Sequence, residues 1–233
     1  MNTGKHTTAA AHRRIRSYVR REGRLTPGQS KALEQLWSRY GLEHTQTWDM
    51  PAIFPRPAAV TLEIGFGNGA SLAQMAAATP GENFIGIEVH RPGVGHLLQE
   101  LQRRQLDNVR VCNQDAVEIL EHSIADATLS RVLLLFPDPW PKKKHHKRRL
   151  VQPDFVALVA RKLAPGGIFH LATDWQPYAE HMLQVLESSN LLTNTAGSGH
   201  YAIHANRRPA TKFERRGERL GQPSSDLVFI KSF

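Results

Sequence analysis

The sequence predicts an α/β protein: a mostly parallel, doubly wound sheet with helices on both faces. Two observations predict it. Beyond residue 58, short apolar runs alternate with segments of helical periodicity, and proline or glycine often stands between them. The runs are also apolar throughout rather than at every second residue, as expected of strands covered on both faces.

Three regions follow from composition. Residues 1–24 carry seven Lys and Arg against one Glu, with few large apolar side chains, so this basic arm is expected to be partly disordered. Residues 25–57 hold a helix and a linker. Thr26 is placed to cap the helix, Pro27 to occupy its first position and Gln29 to complete a capping box. Leu33, Leu36, Trp37 and Tyr40 form the apolar face and Gly41 the stop, before a linker containing Pro51, Pro55 and Pro57. Residues 58–233 form the main domain.

Its expected strands are 60–64, 83–87, 109–112, 131–136 and 168–172, with a last one at 226–231. The expected helices run through Leu72 to Ala76, ended by Pro80-Gly81, then over 94–104, 116–121, 153–163 and 178–187. Pro165-Gly166-Gly167 is read as the turn closing the helix that begins at Pro153.

The chain has 233 residues, enough for one full α/β core plus an arm. Thirty Lys and Arg against twenty-one Asp and Glu give a net charge of +9, which favours an acidic partner. The single cysteine, Cys112, cannot form an internal disulfide and is expected to be a small buried residue in a reducing compartment. No apolar run approaches the roughly 20 residues needed to span a bilayer, and the arginine-bearing N-terminus lacks the apolar core of a secretory signal. A soluble, cytoplasmic protein without a membrane partner is expected.

Two segments point to chemistry. Val60 to Gly69 reads as a strand breaking into a Gly-x-Gly-x-Gly turn, with Glu63 near its end. Leu135 to Arg149 reads as a strand end, an aspartate bracketed by Pro137 and Pro139, and then eight consecutive residues, Lys142–Arg149, that are Lys, Arg or His. A nucleotide-like cofactor needs the first kind of segment and a polyanion the second. Ligands of open α/β sheets bind outside the carboxyl ends of the strands. Glu63, Glu88, Asp115 and Asp138 all stand at such ends. One such carboxylate is equally well explained as a helix cap, but four at one sheet edge are not. Gly65, Gly67 and Gly69 allow a tight turn and close ligand approach. Glu88 is placed to accept from ribose hydroxyls, and Asn113, Gln114 and Asp115 to read an adenine edge.

The electrostatics choose the cofactor. Glu63 lies two residues before the glycine turn and would repel a pyrophosphate. S-adenosyl-L-methionine has no phosphate, and Glu63 suits the ammonium of its amino-acid end.

The chain resembles the bacterial tRNA (guanine-N7-)-methyltransferases, which act on the guanosine at position 46 of the tRNA variable loop. The resemblance rests on residues 15–21 (Ile-Arg-Ser-Tyr-Val-Arg-Arg), 23–26 (Gly-Arg-Leu-Thr), 62–67 (Leu-Glu-Ile-Gly-Phe-Gly), 86–90 (Gly-Ile-Glu-Val-His) and 114–116 (Gln-Asp-Ala). It continues through 136–140 (Phe-Pro-Asp-Pro-Trp), 146–149 (His-Lys-Arg-Arg), 172–175 (Ala-Thr-Asp-Trp) and 211–215 (Thr-Lys-Phe-Glu-Arg). It implies a Rossmann-like class I methyltransferase fold. It also implies that Glu63, Glu88 and Asp115 contact S-adenosyl-L-methionine and that Asp138 is the active-site aspartate beside the methyl group. Lys142, Asp174, Thr211, Lys212, Phe213 and Glu214 match substrate positions. Lys144, His145, His146, Lys147, Arg148 and Arg149 match an RNA-binding loop. The implied partner is tRNA, with no obligate protein partner and a monomer or homodimer as the state.

Guanine N7 carries an in-plane lone pair and no proton, so its methylation needs no general base. The site must orient the base and tolerate positive charge on the imidazole ring, and Asp138 suits both tasks. Pro137 and Pro139 would stiffen its loop. Several residues keep a second reading: Asp174 as a helix N-cap, Trp140 and Trp175 as packing rather than base stacking, and Lys142–Arg149 as a solvated loop. His200 and His204 have helical metal spacing without a third ligand, so no metal is expected. Two other functions compete. An exocyclic-amine methyltransferase would carry an Asp/Asn-Pro-Pro-aromatic turn, whereas this chain has Asp138-Pro139-Trp140. A catalytically silent RNA-binding protein would have lost the carboxylate edge, which is intact here.

Overall fold

The computed structural model describes residues 17–18, 23–203, 209, 214 and 223–232. Helix α1 (Pro27–Tyr40) starts at a reciprocal capping box: the Gln29 N–H donates to Thr26 Oγ1 at 3.3 Å and the Thr26 N–H to Gln29 Oε1 at 2.9 Å. At Gly41 the backbone turns extended (φ −74°, ψ 144°), which ends the helix. Ala32, Leu36 and Tyr40 are buried, while Leu33 and Trp37 pack half-buried on the same cluster. A one-turn helix, α2 (Met50–Ile53), occupies part of the expected linker, with Pro51 in its first turn, where a missing N–H costs nothing.

The main body alternates β1 (Val60–Ile64), α3 (Ala70–Ala78), β2 (Asn83–Ile87), α4 (Arg91–Arg103), β3 (Val109–Cys112), α5 (Ala116–His122) and β4 (Leu129–Leu135). It continues with α6 (Pro153–Lys162), β5 (Leu163–Thr173), α7 (Gln176–Glu187), β6 (Leu192–Asn194) and β7 (Ser225–Lys231). The seven strands lie in the order β3-β2-β1-β4-β5-β7-β6. The first five are parallel, while β7 runs antiparallel between β5 and β6. One hydrophobic cluster, containing Leu62, Ile85, Leu134 and Phe169, covers one sheet face; a second, containing Leu72, Leu97, Val111 and Leu133, covers the other. This two-sided burial is what the unbroken apolar strands of the sequence require. Cys112 belongs to the first cluster, where burial and then the Glu43 charge push its thiol up to about 12.

Several elements differ from the sequence reading, three of them instructively. Helix α4 starts at Arg91 rather than residue 94, because Pro92 fits the first turn and Gly93 is tolerated there. The expected turn 165–167 lies within β5. Leu129 pairs with Leu163 and Arg131 with Ile168, so the residues between 163 and 168 bulge from a ladder that continues on both sides. Strand β6 carried too little periodicity to be seen in sequence. Among the described residues no helix is long and apolar enough to cross a membrane.

Candidate active site

The sheet order reverses between β1 and β4, and there a cavity of about 260 Å³ opens at the carboxyl ends of the strands. Gly65, Gly67, Glu88, Asp115 and Asp138 line it, with Ile64, Leu134 and Phe136 among its apolar walls.

Each carboxylate is placed by the strand it follows. Glu88, just past β2, is 9% exposed; its Oε2 accepts from the Gly67 N–H at 2.8 Å and its Oε1 from the His90 N–H at 2.9 Å. It therefore ties the β1 turn to the start of α4. Asp115, past β3, caps α5: its Oδ1 accepts from the Val117 N–H at 2.8 Å and the Glu118 N–H at 3.4 Å. The cap and the cavity-lining role coexist in one side chain. Asn113 is not among the lining residues; its Nδ2 donates to the Glu88 carbonyl at 2.6 Å. Glu63, 3% exposed on β1, is not among the residues that line the cavity, and its Oε2 has no hydrogen-bond partner. Burial, and then the charge of Glu88, push its carboxyl up to about 8.

Gly65 and Gly67 have φ of +74° and +62°, and no heavy atom lies within 4 Å of where a Cβ would stand on either. The left-handed backbone favours glycine, and the open space lets a ligand approach the main chain. The unpartnered Glu63 oxygen behind this turn is a complement for a cation. The carboxylates and the open glycine turn fit a cofactor with a cationic end and ribose hydroxyls. The carboxylates of Glu88 and Asp115 at the same cavity disfavour a phosphate.

Asp138 lies on the β4 side of the cavity, exposed, in a turn with unusual backbone. Phe136 and Trp140, neither a glycine, have φ of +53° and +44° and bracket Pro137-Asp138-Pro139. After the turn, Lys143–Arg148 form a 3₁₀ helix where the sequence predicts a loop. Lys142, Lys143, Lys144 and Lys147 are exposed, and Arg148 lies over the Trp140 ring at 5.0 Å. His145 stands edge-on to Trp140 at 5.7 Å; loss of solvent and then the charges of Lys144, Arg148, Lys142 and Lys147 hold its pKa below the ordinary value. His146 is half-buried, and its ring meets Arg149 at 3.2 Å. Arg149 differs from its neighbours: it is 5% exposed and faces inward.

Asp174 follows β5 at the same sheet edge, half-buried and outside the cavity lining. The N-cap position of α7 is Trp175, so Asp174 is not the cap. Trp175 is 39% exposed, whereas Trp140 is half-buried and donates from Nε1 to the Ser17 carbonyl at 3.1 Å. Glu214 is buried and accepts from Ser224 Oγ at 3.2 Å. Thr211, Lys212, Phe213 and most of the basic arm lie outside the described residues, as does His204. No three metal-ligating side chains gather among the described residues.

Among the cavity-lining residues missed in sequence are Ser17 and Tyr18, far from the others in the chain. Their only signal was that they lie within the motif at 15–21, which fixes no role by itself.

Comparison with known proteins adds the family. A model described as "Putative methyltransferase" matches residues 57–227. A Methylococcus capsulatus protein named tRNA (guanine-N(7)-)-methyltransferase is 56% identical, over 94% of this chain and 95% of its own length. A protein of the same name from Alkalilimnicola ehrlichii is 58% identical, over 96% of this chain and 95% of its own. Among solved structures, a precorrin-6y C5,15-methyltransferase from Geobacter metallireducens superimposes with a TM-score of 0.51 at 14% identity, over 87% of this chain and 88% of that one. That likeness concerns the fold alone.

Proposed function

The chain belongs to the tRNA (guanine-N7-)-methyltransferase family, and we propose that it transfers a methyl group from S-adenosyl-L-methionine to N7 of the guanosine at position 46 of the tRNA variable loop, in the cytoplasm. The observation that carries this reading is one cavity lined at once by Gly65, Gly67, Glu88 and Asp115 and by Asp138, with an exposed lysine-rich turn directly beyond it. A cofactor side and a nucleic-acid side meet at a single carboxylate.

Glu63, buried and half-unpartnered, would receive the cofactor's ammonium. Glu88 keeps lone pairs free for ribose hydroxyls beyond the two N–H groups it already accepts. Asp115, with Asn113 and Gln114 beside it, would face the adenine. The cofactor supplies an electrophilic methyl group on a sulfonium. Asp138 would accept from the guanine N1–H and N2–H groups, which orients the ring, and its charge would offset the positive charge that develops on the purine. Since N7 carries no proton, Asp138 need not remove one. Lys142, Lys144, His145, His146, Lys147 and Arg148 would meet phosphates, and Lys142, Asp174 and the 211–214 segment would meet the nucleotide.

The test is nucleoside mass spectrometry of unmodified tRNA incubated with the protein and isotopically labelled S-adenosyl-L-methionine. Label in 7-methylguanosine at position 46 is expected. Label in an exocyclic methylamine nucleoside, or none, would reject the reading.

A further inference from the structure

We infer that Arg149 is a positioning residue for Asp138 and not one of the RNA contacts of the basic run; the inference rests on the reading of Asp138 as the carboxylate that faces guanine. The Asp138 turn is poorly able to hold itself. Pro137 and Pro139 have no N–H to donate, and the turn is bracketed by two non-glycine residues, Phe136 and Trp140, with positive φ. Such backbone persists only where the surroundings over-determine it.

Arg149 supplies the missing donor. Its Nε donates to the Pro139 carbonyl at 3.0 Å, one residue from Asp138. The guanidinium is fixed on its other sides. It lies 4.9 Å over the centre of the Tyr178 ring, and its Nη2 meets His146 Nε2 at 3.2 Å. Tyr178 is itself fully buried on α7, and its hydroxyl accepts from the Val151 N–H at 3.3 Å, which anchors the chain just after Arg149. The link runs from α7 through Tyr178 and Arg149 to the turn.

A phosphate contact would ask something different of Arg149. A side chain 5% exposed, with its face on an aromatic ring and its Nε on a carbonyl, would have to abandon both to reach a phosphate. Lys142, Lys143, Lys144 and Lys147 on the same run are exposed and need no such move.

Lysine separates the two roles, since it retains a charge for phosphate but not the planar fork that stacks and donates from Nε. In Arg149→Lys, single-turnover methyl transfer at saturating tRNA and cofactor should fall about 10- to 100-fold, the scale of a small misplacement of a reacting group. The tRNA dissociation constant, its salt dependence and the cofactor affinity by calorimetry should stay at wild-type values. A wild-type rate would overturn the inference, and so would weaker tRNA binding with a flatter salt dependence. A fall in cofactor affinity and melting temperature that accounts for the lost rate would reduce Arg149 to a structural residue and overturn it too. Should Arg149→Lys not fold, Tyr178→Phe keeps the ring under the guanidinium and removes only the hydroxyl. It should slow transfer without weakening tRNA binding, and an unchanged rate would reject the inference. Wild-type enzyme run in parallel keeps the readings apart: absence of 7-methylguanosine there refutes the proposed reaction, not the role of Arg149.

Discussion

The two halves of the cleft are built by different means. On the proposed cofactor side, Glu63, Glu88 and Asp115 are nearly buried at the ends of three adjacent parallel strands. Sheet register spaces them, and backbone N–H groups hold the latter two. On the proposed substrate side, Asp138 and the lysines lie beyond the end of β4, exposed, on a proline turn and a single 3₁₀ helix. Two side-chain hydrogen bonds tie this turn to its surroundings, Arg149 Nε to the Pro139 carbonyl and Trp140 Nε1 to the Ser17 carbonyl. A pocket for an invariant small molecule can be fixed by the sheet. A surface for a large polyanion is set on elements that protrude from it.

If the halves are separable, substitutions on one side should leave the other's binding untouched. The largest effect is expected at Asp138. Asp138→Ala should lower single-turnover methyl transfer about 100- to 1,000-fold, as loss of a preorganised charge does, with tRNA and cofactor affinities nearly unchanged. Asp138→Asn should fall between, keeping position without charge. An asparagine variant as inactive as alanine would indicate proton abstraction instead, and a wild-type rate in the alanine variant would move attention to Asp174.

Next comes Glu88. Its removal takes away charge-assisted hydrogen bonds of about 1.5–3 kcal/mol each, so Glu88→Ala should weaken cofactor binding at least roughly tenfold by calorimetry. It also leaves the Gly67 and His90 N–H groups without their acceptor, so the glycine turn should exchange its amide hydrogens faster. Unchanged cofactor affinity would remove Glu88 from the site, and weakened tRNA binding would break the separation of the halves.

The same division explains what the sequence could disclose. The strand-end geometry of the proposed cofactor side was legible because it is local: an apolar run followed by a carboxylate and glycines specifies a strand end, and register does the rest. Asp138 was legible through its two prolines and the basic run after it. The inward direction of Arg149 was not, because Tyr178, nearly thirty residues on, decides it; one-dimensional charge counting groups Arg149 with Arg148. Ser17 and Tyr18 were invisible for a similar reason, since their place at the cavity depends on a hydrogen bond to Trp140 across the chain. The bulge in β5 was hidden because Pro165-Gly166-Gly167 has the composition of a turn, and only pairing with β4 shows the ladder resuming.

A smaller effect is expected from the exposed bases. Replacing Lys142, Lys144 and Lys147 by alanine should weaken tRNA binding about tenfold at moderate salt and flatten the log–log salt dependence by about 2 to 3, if each base meets one phosphate. Cofactor affinity should not move. An unaltered slope would make the run a solvated surface, and the nucleic-acid half would then have to lie elsewhere.

The last prediction, which touches stability and proton uptake rather than turnover, probes the proposed cofactor side from within. The Glu63 carboxyl is pushed up from an ordinary 4.5 to about 8, chiefly by burial. Between those values the folded protein holds a proton that the unfolded chain has released. Stability of the cofactor-free protein should therefore fall as pH rises through that window, by at most about 1.4 kcal/mol per pH unit from this group. Glu63→Gln, which mimics the protonated form, should flatten the profile of melting temperature against pH between 5 and 8. The same proton should report on the ligand. If an ammonium pairs with Glu63, binding favours the carboxylate and expels the proton, so S-adenosyl-L-methionine should release most of one proton at pH 7 from the wild type and almost none through this group in Glu63→Gln. Calorimetry in buffers of different ionisation enthalpy reads that difference directly. Equal proton release in the two proteins would mean that the ammonium is held elsewhere, and that the unpartnered oxygen of Glu63 serves the fold rather than the cofactor.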